Sequence, residues 1–148
     1  MKHRSGFVNI IGNPNVGKST FMNSLIGQKL SIVSHKAQTT RHRIRGILNS
    51  KSYQIVFSDT PGVIIPKYKL QENMMDYVYS ILQDSDVLVY MVEVGEKELK
   101  DLILDKKIKN IQIPLIILVN KIDLKDQEFV SSEIKKWSEL FPSSKVIP

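Results

Sequence analysis

The sequence contains no cysteine, which excludes disulfide bonds, thiol nucleophiles and thiolate metal ligands. Histidine is also scarce: the three residues, at positions 3, 35 and 42, lack the spacing of a metal-ligand set, and we assign them no chemistry. The single tryptophan, Trp137, lies on a helical apolar pattern, so we expect it in the core rather than on a ligand platform.

Long apolar runs are missing as well. No segment has the roughly 20 consecutive apolar residues that a membrane-spanning helix needs. The chain reaches an apolar strand by Phe7, so we expect no secretory leader and a cytoplasmic protein. Its 148 residues, 42% of them hydrophobic, are typical of one soluble domain large enough to bury a core.

Four short apolar runs indicate strands buried on both faces of a parallel sheet: 7–11, 53–57, 87–94 and 115–119. Residues 43–49 and 53–58 predict an antiparallel hairpin. Helical patterns lie between the strands, so the sequence predicts an α/β fold with helices on both faces and one antiparallel edge strand. The predicted helix faces are Leu70, Met74, Tyr77, Val78, Ile81 and Leu82; Leu99, Leu102 and Ile103; and Val130, Ile134, Trp137 and Phe141.

The segment GNPNVGKST, residues 12–20, directly follows the first strand and opens a helix. Its glycines let backbone N–H groups point inward as a nest for phosphate oxygens, beside the positive end of the helix. Lys18 can reach the β- and γ-phosphates, and the Ser19 hydroxyl can bind Mg²⁺. The segment predicts nucleotide contacts by Asn13, Pro14, Asn15, Val16, Gly17, Lys18, Ser19 and Thr20.

Two further loops follow predicted strands: 59–62, which reads DTPG, and 120–123, which reads NKID. Because the carboxyl ends of parallel strands share one edge of the sheet, all three loops should meet there, where open α/β sheets bind ligands. A carboxylate at Asp123 can accept both N1–H and the 2-amino group of guanine, a donor pair that adenine lacks. The alternative role of Asp123 is a helix N-cap.

With these loops in this order, the sequence resembles the GTPase branch of the P-loop NTPases, a three-layer α/β/α sandwich with the motifs GxxxxGK(S/T), a switch threonine, DxxG and NKxD. The resemblance implies that Asp59 holds Mg²⁺ through a water and that the Gly62 N–H meets the γ-phosphate. Asn120 would orient the base loop, and the stem of Lys121 would lie over the base. The implied nucleotide contacts of the two loops are Asp59, Thr60, Pro61, Gly62, Asn120, Lys121 and Asp123.

The segment KAQTTRHRIRG, residues 36–46, should contain the switch threonine that binds Mg²⁺ and senses the γ-phosphate. Thr40 matches the second threonine of the family motif, and Thr39 is the alternative. The net charge of +6 is partly concentrated here, in Lys36, Arg41, Arg43 and Arg45. This basic run either meets phosphates of a nucleotide or an RNA, or guards a solvated edge strand.

The wording QTTRHRIRG, together with GNPNVGKST and DTPG, is similar to the Era-type GTPases, and Gln38 and His42 fit Era better than the related Der and MnmE. The resemblance implies GTP and GDP as ligands, hydrolysis of GTP, and a role in small-subunit assembly through 16S rRNA and the 30S subunit. It also implies peripheral association with the inner face of the cell membrane. A Der- or MnmE-like role in large-subunit assembly or tRNA modification is the alternative. No segment indicates an oligomer.

The sequence departs from the family pattern at its end, SSKVIP. In the family a Ser-Ala loop that contacts guanine, a final helix and, in Era, a KH-type RNA-binding domain come next. We therefore expect residues 1–148 to form a truncated G domain that binds guanine nucleotide more weakly than a longer chain. We expect the KH domain of the family to lie outside these residues.

A second departure is Val63, which follows Gly62 where many GTPases carry a glutamine that orients the attacking water. This matches the hydrophobic-substituted GTPases, several of which use K⁺ held by an asparagine of the phosphate loop. The matching residue is Asn15, with Asn13 less favoured and a loop-shaping turn as the alternative role. The expected catalytic set is Lys18, Thr40, Gly62 and Asn15, with Ser19, Thr40 and Asp59 binding Mg²⁺. The aliphatics 63–65 are either constant core or swing between nucleotide states.

Overall fold

A computed structural model describes residues 2–27, 44–97, 99 and 101–148. Helices and strands alternate along the chain. No helix among these residues is both long and apolar enough to cross a lipid bilayer. The elements are β1 (Arg4–Ile11), α1 (Lys18–Ile26), β2 (Ile44–Asn49), β3 (Tyr53–Asp59), α2 (Lys69–Asp84), β4 (Val87–Glu93), α3 (Leu102–Lys109), β5 (Leu115–Asn120), a short 3₁₀ helix (Ile122–Leu124), α4 (Gln127–Leu140) and β6 (Lys145–Ile147).

The strands form one six-stranded sheet in the order β2-β3-β1-β4-β5-β6. Only β2 and β3 pair antiparallel, so the predicted hairpin and the antiparallel edge strand are both confirmed. The other pairs are parallel, and their register aligns Ile10 with Asp59 and Glu93 with Asn120. The loops that follow β1, β3, β4 and β5 therefore lie at the same edge of the sheet, beside the point where the strand order reverses.

Helices cover both faces of the sheet, as predicted, because successive residues of a strand point to opposite sides. In β4, Leu88 and Tyr90 pack in a core with α2, α3 and α4, whereas Val89 and Met91 pack in a second core with α1. Trp137 is fully buried in the first core, which confirms its predicted place. It packs edge-on against Tyr90, with ring centroids 5.6 Å apart.

Two predicted helix faces need correction. In α2, Met74, Val78 and Ile81 are buried as expected, but Leu70 and Tyr77 are each 44% exposed. The buried stripe of α2 instead includes Gln71 and Met75, which continue the i, i+3, i+4 spacing toward the sheet.

In α3 the error is larger. Leu102 and Ile103 are exposed, whereas Leu104 and Ile108, four residues apart, face the core. Leu99 is buried but lies ahead of the helix, so it does not share a helical face with the other two. The helix begins at Leu102, three residues after the start of the predicted apolar pattern. Its buried face is therefore defined by Leu104 and Ile108 and not by Leu99.

The three aliphatics that follow Gly62 separate into two environments. Val63 and Ile64 are buried in the core beneath α2, while Ile65 is 67% exposed. The Val63 N–H also donates to the Gly12 carbonyl at 2.9 Å, which ties this loop to the phosphate loop. Two of the aliphatics are thus core residues in this structure, and the third faces solvent.

The adjacent isoleucines form a matched pair for testing this packing. Ile64→Thr should lower the free energy of unfolding by about 2–3 kcal/mol, because it removes buried apolar volume and introduces a buried hydroxyl. Ile65→Thr should change it by less than about 0.5 kcal/mol. Urea denaturation of both variants measures the difference, and equal effects would contradict the assignment of Ile64 to the core.

Candidate functional site

The loop between β1 and α1 wraps so tightly that only glycine fits at both of its ends. A Cβ at Gly12 would lie 2.2 Å from the Met91 carbonyl oxygen, and one at Gly17 would lie 2.3 Å from the Asn120 amide nitrogen. Gly17 also has a φ of 107°, in the left-handed region that favours glycine. Asn15 adopts a φ of 63°, which asparagine tolerates better than most residues. The backbone can therefore close into an anion-binding turn at the start of α1.

Lys18 is the first residue of α1, and its side chain folds back over the loop. It is buried, and its Nζ donates to the carbonyl oxygens of Gly12 and Asn13 at 3.2 and 2.9 Å. Burial lowers the pKa of Lys18 to about 8, while the carboxylates of Asp59 and Glu96 oppose that shift. At neutral pH the side chain is still a cation, held where an anion would compensate its lost hydration.

Ser19 and Asp59 form a pair of oxygen groups beside this lysine. The Ser19 hydroxyl donates to Asp59 Oδ2 at 2.6 Å, and Asp59 is fully buried. The next residue, Thr60, fixes the loop by donating its hydroxyl to the Ile10 carbonyl at 2.8 Å. A hydroxyl and a carboxylate together fit Mg²⁺, which binds few protein oxygens and completes its shell with water and phosphate. Within the described part of the chain there is no cluster of three or more acidic or histidine side chains suited to a metal.

The DTPG loop packs directly on the phosphate loop. A Cβ at Gly62 would lie 2.7 Å from Pro14 Cα, so no larger residue fits without moving backbone. Together with the hydrogen bond from the Val63 N–H to Gly12, this contact sets the two loops at van der Waals distance. The two loops are therefore in direct contact.

The NKID loop is connected to the phosphate loop by two side chains. Asn120 donates to the Val16 carbonyl at 2.8 Å, and Lys121 donates to the Asn15 carbonyl at 2.7 Å. Asp123 lies exposed on the short 3₁₀ helix. The N-cap of α4 is Asp126, whose carboxylate accepts from the Phe129 N–H at 2.8 Å, so the N-cap alternative for Asp123 is wrong.

The three motif loops thus meet at one edge, and every predicted site residue from Asn13 to Thr20, from Asp59 to Gly62 and from Asn120 to Asp123 lies there. The switch prediction cannot be compared with the structure, because Thr40, Thr39, Gln38 and His42 lie outside the described residues. Three residues of the basic run, Lys36, Arg41 and Arg43, also lie outside the described residues. Its last member, Arg45, is exposed on the edge strand β2.

Two acidic residues of this site were not predicted. Glu93 accepts from Lys121 Nζ at 2.9 Å, and Glu96 accepts from the Asn13 amide at 2.5 Å. Burial raises the pKa of Glu96, while its hydrogen bonds and the nearby Lys18 oppose that shift. A signal was available in the sequence: both residues come at the carboxyl end of β4, the same edge that collects the three motifs.

Comparison with known proteins gives one family and several relatives. The family profile described as 50S ribosome-binding GTPase matches residues 7–121. GTPase Era of Clostridium botulinum (strain Hall) is 42% identical over 146 residues, which cover 98% of this chain and 49% of the relative. The chain thus spans about half the length of the curated relatives it matches.

Two solved structures share the fold. A crystal structure of Era in complex with MgGDPNP and nucleotides 1506–1542 of 16S ribosomal RNA has a TM-score of 0.90 and 36% identity, covering 99% of this chain and 51% of that one. A crystal structure of a variant of Aquifex aeolicus Era bound to GDP·AlF₄⁻ has a TM-score of 0.86 and 35% identity, covering 100% of this chain and 51% of that one.

The burial of Lys18 predicts an unusual effect of its removal. Lys18→Met should raise the free energy of unfolding of the nucleotide-free protein at pH 7 by about 1–3 kcal/mol, because a desolvated cation is replaced by an apolar side chain. The difference in free energy of unfolding between Lys18→Met and the parent should narrow as pH rises from 8 toward 10.5. In that range the unfolded parent holds more protons at Lys18 than the folded parent does, so the parent gains stability as pH rises.

Urea denaturation at several pH values measures this effect. Lys106→Met, at an exposed lysine of α3, is the matched control and should change stability by less than about 0.5 kcal/mol. A Lys18→Met variant less stable than the parent at pH 7 would contradict the account of a strained cation.

Proposed function

Because the chain belongs to the 50S ribosome-binding GTPase family, and within it to the Era type, we propose that it binds GTP and hydrolyses it to GDP and phosphate. The observation that carries the proposal is the connection of three motif loops at one sheet edge. Ser19 joins Asp59, Asn120 joins Val16, and Lys121 joins Asn15 through hydrogen bonds of 2.6–2.8 Å.

The phosphate end of the site is proposed to work by charge and position. Lys18 would contact the β- and γ-phosphates, and the loop amides from Asn13 to Thr20 would surround their oxygens. Ser19 and Asp59 would hold Mg²⁺, which supplies charge neutralisation across the phosphates when bound. Phosphoryl transfer through a loose transition state needs this electrostatic stabilisation more than it needs a covalent group.

The sensing elements are proposed to flank the γ-phosphate. Gly62 would offer its N–H, and Thr40 would bind Mg²⁺ and report the γ-phosphate, with Thr39 as the alternative. The contact of Gly62 with Pro14 supports this role, because displacement of the phosphate loop by a nucleotide reaches the DTPG loop directly. Ordering by the γ-phosphate and release after hydrolysis would make the domain a switch.

We propose that a group other than the Val63 side chain, which follows Gly62, orients the attacking water. The Val63 side chain is apolar and buried in the core, so it cannot orient a water. We infer that K⁺ contributes, held partly by Asn15, as the hydrophobic-substituted group implies. Asn15 adopts a left-handed backbone conformation in the phosphate loop. This conformation fits the K⁺-binding role, and it fits a turn-shaping role equally. Intrinsic turnover should be slow, since neither a glutamine nor an arginine finger is assigned.

The cellular role is proposed from the relatives. A similar Era structure contains MgGDPNP and a segment of 16S ribosomal RNA. We propose that the protein acts in the cytoplasm in assembly of the small ribosomal subunit, with the 30S subunit and 16S rRNA as partners. The Der- or MnmE-like role in large-subunit assembly or tRNA modification is the alternative, and peripheral membrane association is a further expectation. GTP turnover with and without each ribosomal subunit separates these roles.

The domain boundary is also a proposal. On the α1 side of β5, Ile116 and Leu118 are only partly buried, whereas Ile117 and Val119 on the other side are buried. A further apolar element would cover that face, and the final helix of the family G domain is the proposed one. The Ser-Ala base loop would precede it, and a KH domain would follow.

Base selection gives the first test of the proposed function. Asp123→Asn should weaken GDP binding by at least about 100-fold, because an amide cannot accept both guanine donors and leaves one buried group unpaired. It should strengthen XDP binding, since xanthine offers an acceptor where guanine has its 2-amino group. Competition against fluorescent GDP measures both. Asp126→Asn, the same change at the nearby N-cap of α4, should leave both affinities within about 2-fold of the parent. An unchanged GDP affinity in Asp123→Asn would contradict the base assignment.

The monovalent ion gives the second test. GTP hydrolysis should be several-fold faster in KCl than in NaCl at equal ionic strength, and Asn15→Ala should remove most of that difference. Single-turnover rates at saturating Mg²⁺ measure the effect without a contribution from product release. Identical rates of the parent in the two salts would contradict the role of Asn15.

A further inference from the structure

Glu96, in the turn that follows β4, contacts the phosphate loop through its carboxylate. Glu96 Oε1 accepts from the Asn13 side-chain amide at 2.5 Å, and Glu96 Oε2 accepts from the Glu93 N–H at 3.0 Å. Asn13 and Glu96 are 83 residues apart in sequence, so the contact exists only through the tertiary fold. The backbone carbonyl of the same Asn13 accepts from Lys18 Nζ at 2.9 Å.

The same turn is fixed on its other side by α4. The Gly95 N–H donates to Glu133 Oε2 at 3.1 Å, and Lys136 donates both to that carboxylate and to the Glu96 carbonyl at 2.8 Å. Glu133 is buried and pairs with Lys136, whose side chain is partly exposed. Glu96 therefore lies in a turn that hydrogen bonds from α4 hold in place.

We propose that Glu96 is a positioning residue for nucleotide binding: its carboxylate holds Asn13, and through the Asn13 carbonyl it sets where the ammonium of Lys18 lies. The inference rests on the proposed function, because Lys18 is there the phosphate-binding cation. Glu96 would act on the nucleotide through Asn13 and Lys18 rather than by its own contact. Its negative charge also favours the charged form of the buried lysine, together with Asp59.

The geometry implies an energetic coupling between the side chains of Asn13 and Glu96. Glu96 offers two acceptors to two donors, the Asn13 amide and the Glu93 N–H, so the pair is complementary as it stands. A residue that merely stabilised the turn would not need a partner on the phosphate loop. The coupling should therefore be visible in nucleotide affinity and not only in folding stability.

A double-mutant cycle tests this coupling. Asn13→Ala and Glu96→Ala should each weaken binding of fluorescent GDP with Mg²⁺ by about 5-fold, in the range of one lost hydrogen bond. The double variant should also lose about 5-fold rather than the product of the two, because both changes remove the same interaction. Independent, multiplying effects would overturn the proposal.

A polarity swap provides the rescue arm. Asn13→Asp alone opposes two carboxylates across the 2.5 Å contact and should weaken GDP binding more than Asn13→Ala does. In the Asn13→Asp/Glu96→Gln variant, the glutamine amide can donate to the new carboxylate while its oxygen still accepts from the Glu93 N–H. GDP affinity should then return to within about 3-fold of the parent. A double variant that binds no better than Asn13→Asp, or that regains melting temperature without affinity, would overturn the proposal.

Glu133→Gln is the matched control, because it weakens the same turn from the α4 side without touching the phosphate loop. It should lower the melting temperature, because the ion pair with Lys136 is lost, but leave GDP affinity within about 2-fold, because the glutamine oxygen can still accept from the Gly95 N–H and keep the turn in place. An affinity loss as large as that of Glu96→Ala would overturn the proposal in favour of general loosening of the turn. A parent protein that binds no guanine nucleotide would instead overturn the proposed function itself, so the two failures are distinguishable.

Discussion

The ammonium of Lys18 is buried, and the other groups of the site are arranged around it. A desolvated ammonium needs compensation: two loop carbonyls accept its hydrogen bonds, and the nearby carboxylates of Asp59 and Glu96 supply negative charge. In the proposed function, a bound polyphosphate would supply the remaining compensation. Because the loop must close around this group, Gly12 and Gly17 lie too close to neighbouring atoms to carry a side chain. We propose that the burial of Lys18 lowers the stability of the nucleotide-free protein and raises its affinity for nucleotide.

The loops around Lys18 are held by elements that serve no chemistry themselves. Val63 and Ile64 anchor the DTPG loop in the core, and the Val63 N–H fixes that loop to Gly12. On the opposite side the turn after β4 links the phosphate loop to α4 through Glu96 and Gly95. The residue after Gly62 is one of these buried aliphatics, so its side chain packs in the core and cannot orient a water.

The strands, the sheet edge and the three motif loops could be predicted because each has a local cause. A buried parallel strand is apolar throughout, and the phosphate loop requires glycine at fixed positions. What could not be predicted depends on tertiary direction. Ile64 and Ile65 are identical and adjacent, yet one is buried and one exposed. The predicted face of α3, with Leu102 and Ile103, is wrong because it includes Leu99, which precedes the helix and does not share its phase. The contacts of Glu93 and Glu96 span 28 and 83 residues, which local patterns do not encode.

In the proposed function, a nucleotide phosphate compensates the buried cation of Lys18. Heteronuclear NMR of the lysine Nζ, titrated with pH in the free protein and in the Mg²⁺·GDP complex, measures this compensation. We expect a Lys18 pKa of about 8 in the free protein and a clear rise in the complex, with proton uptake on binding above that pH. A Lys18 pKa that GDP leaves unchanged would show that the phosphate does not compensate the cation.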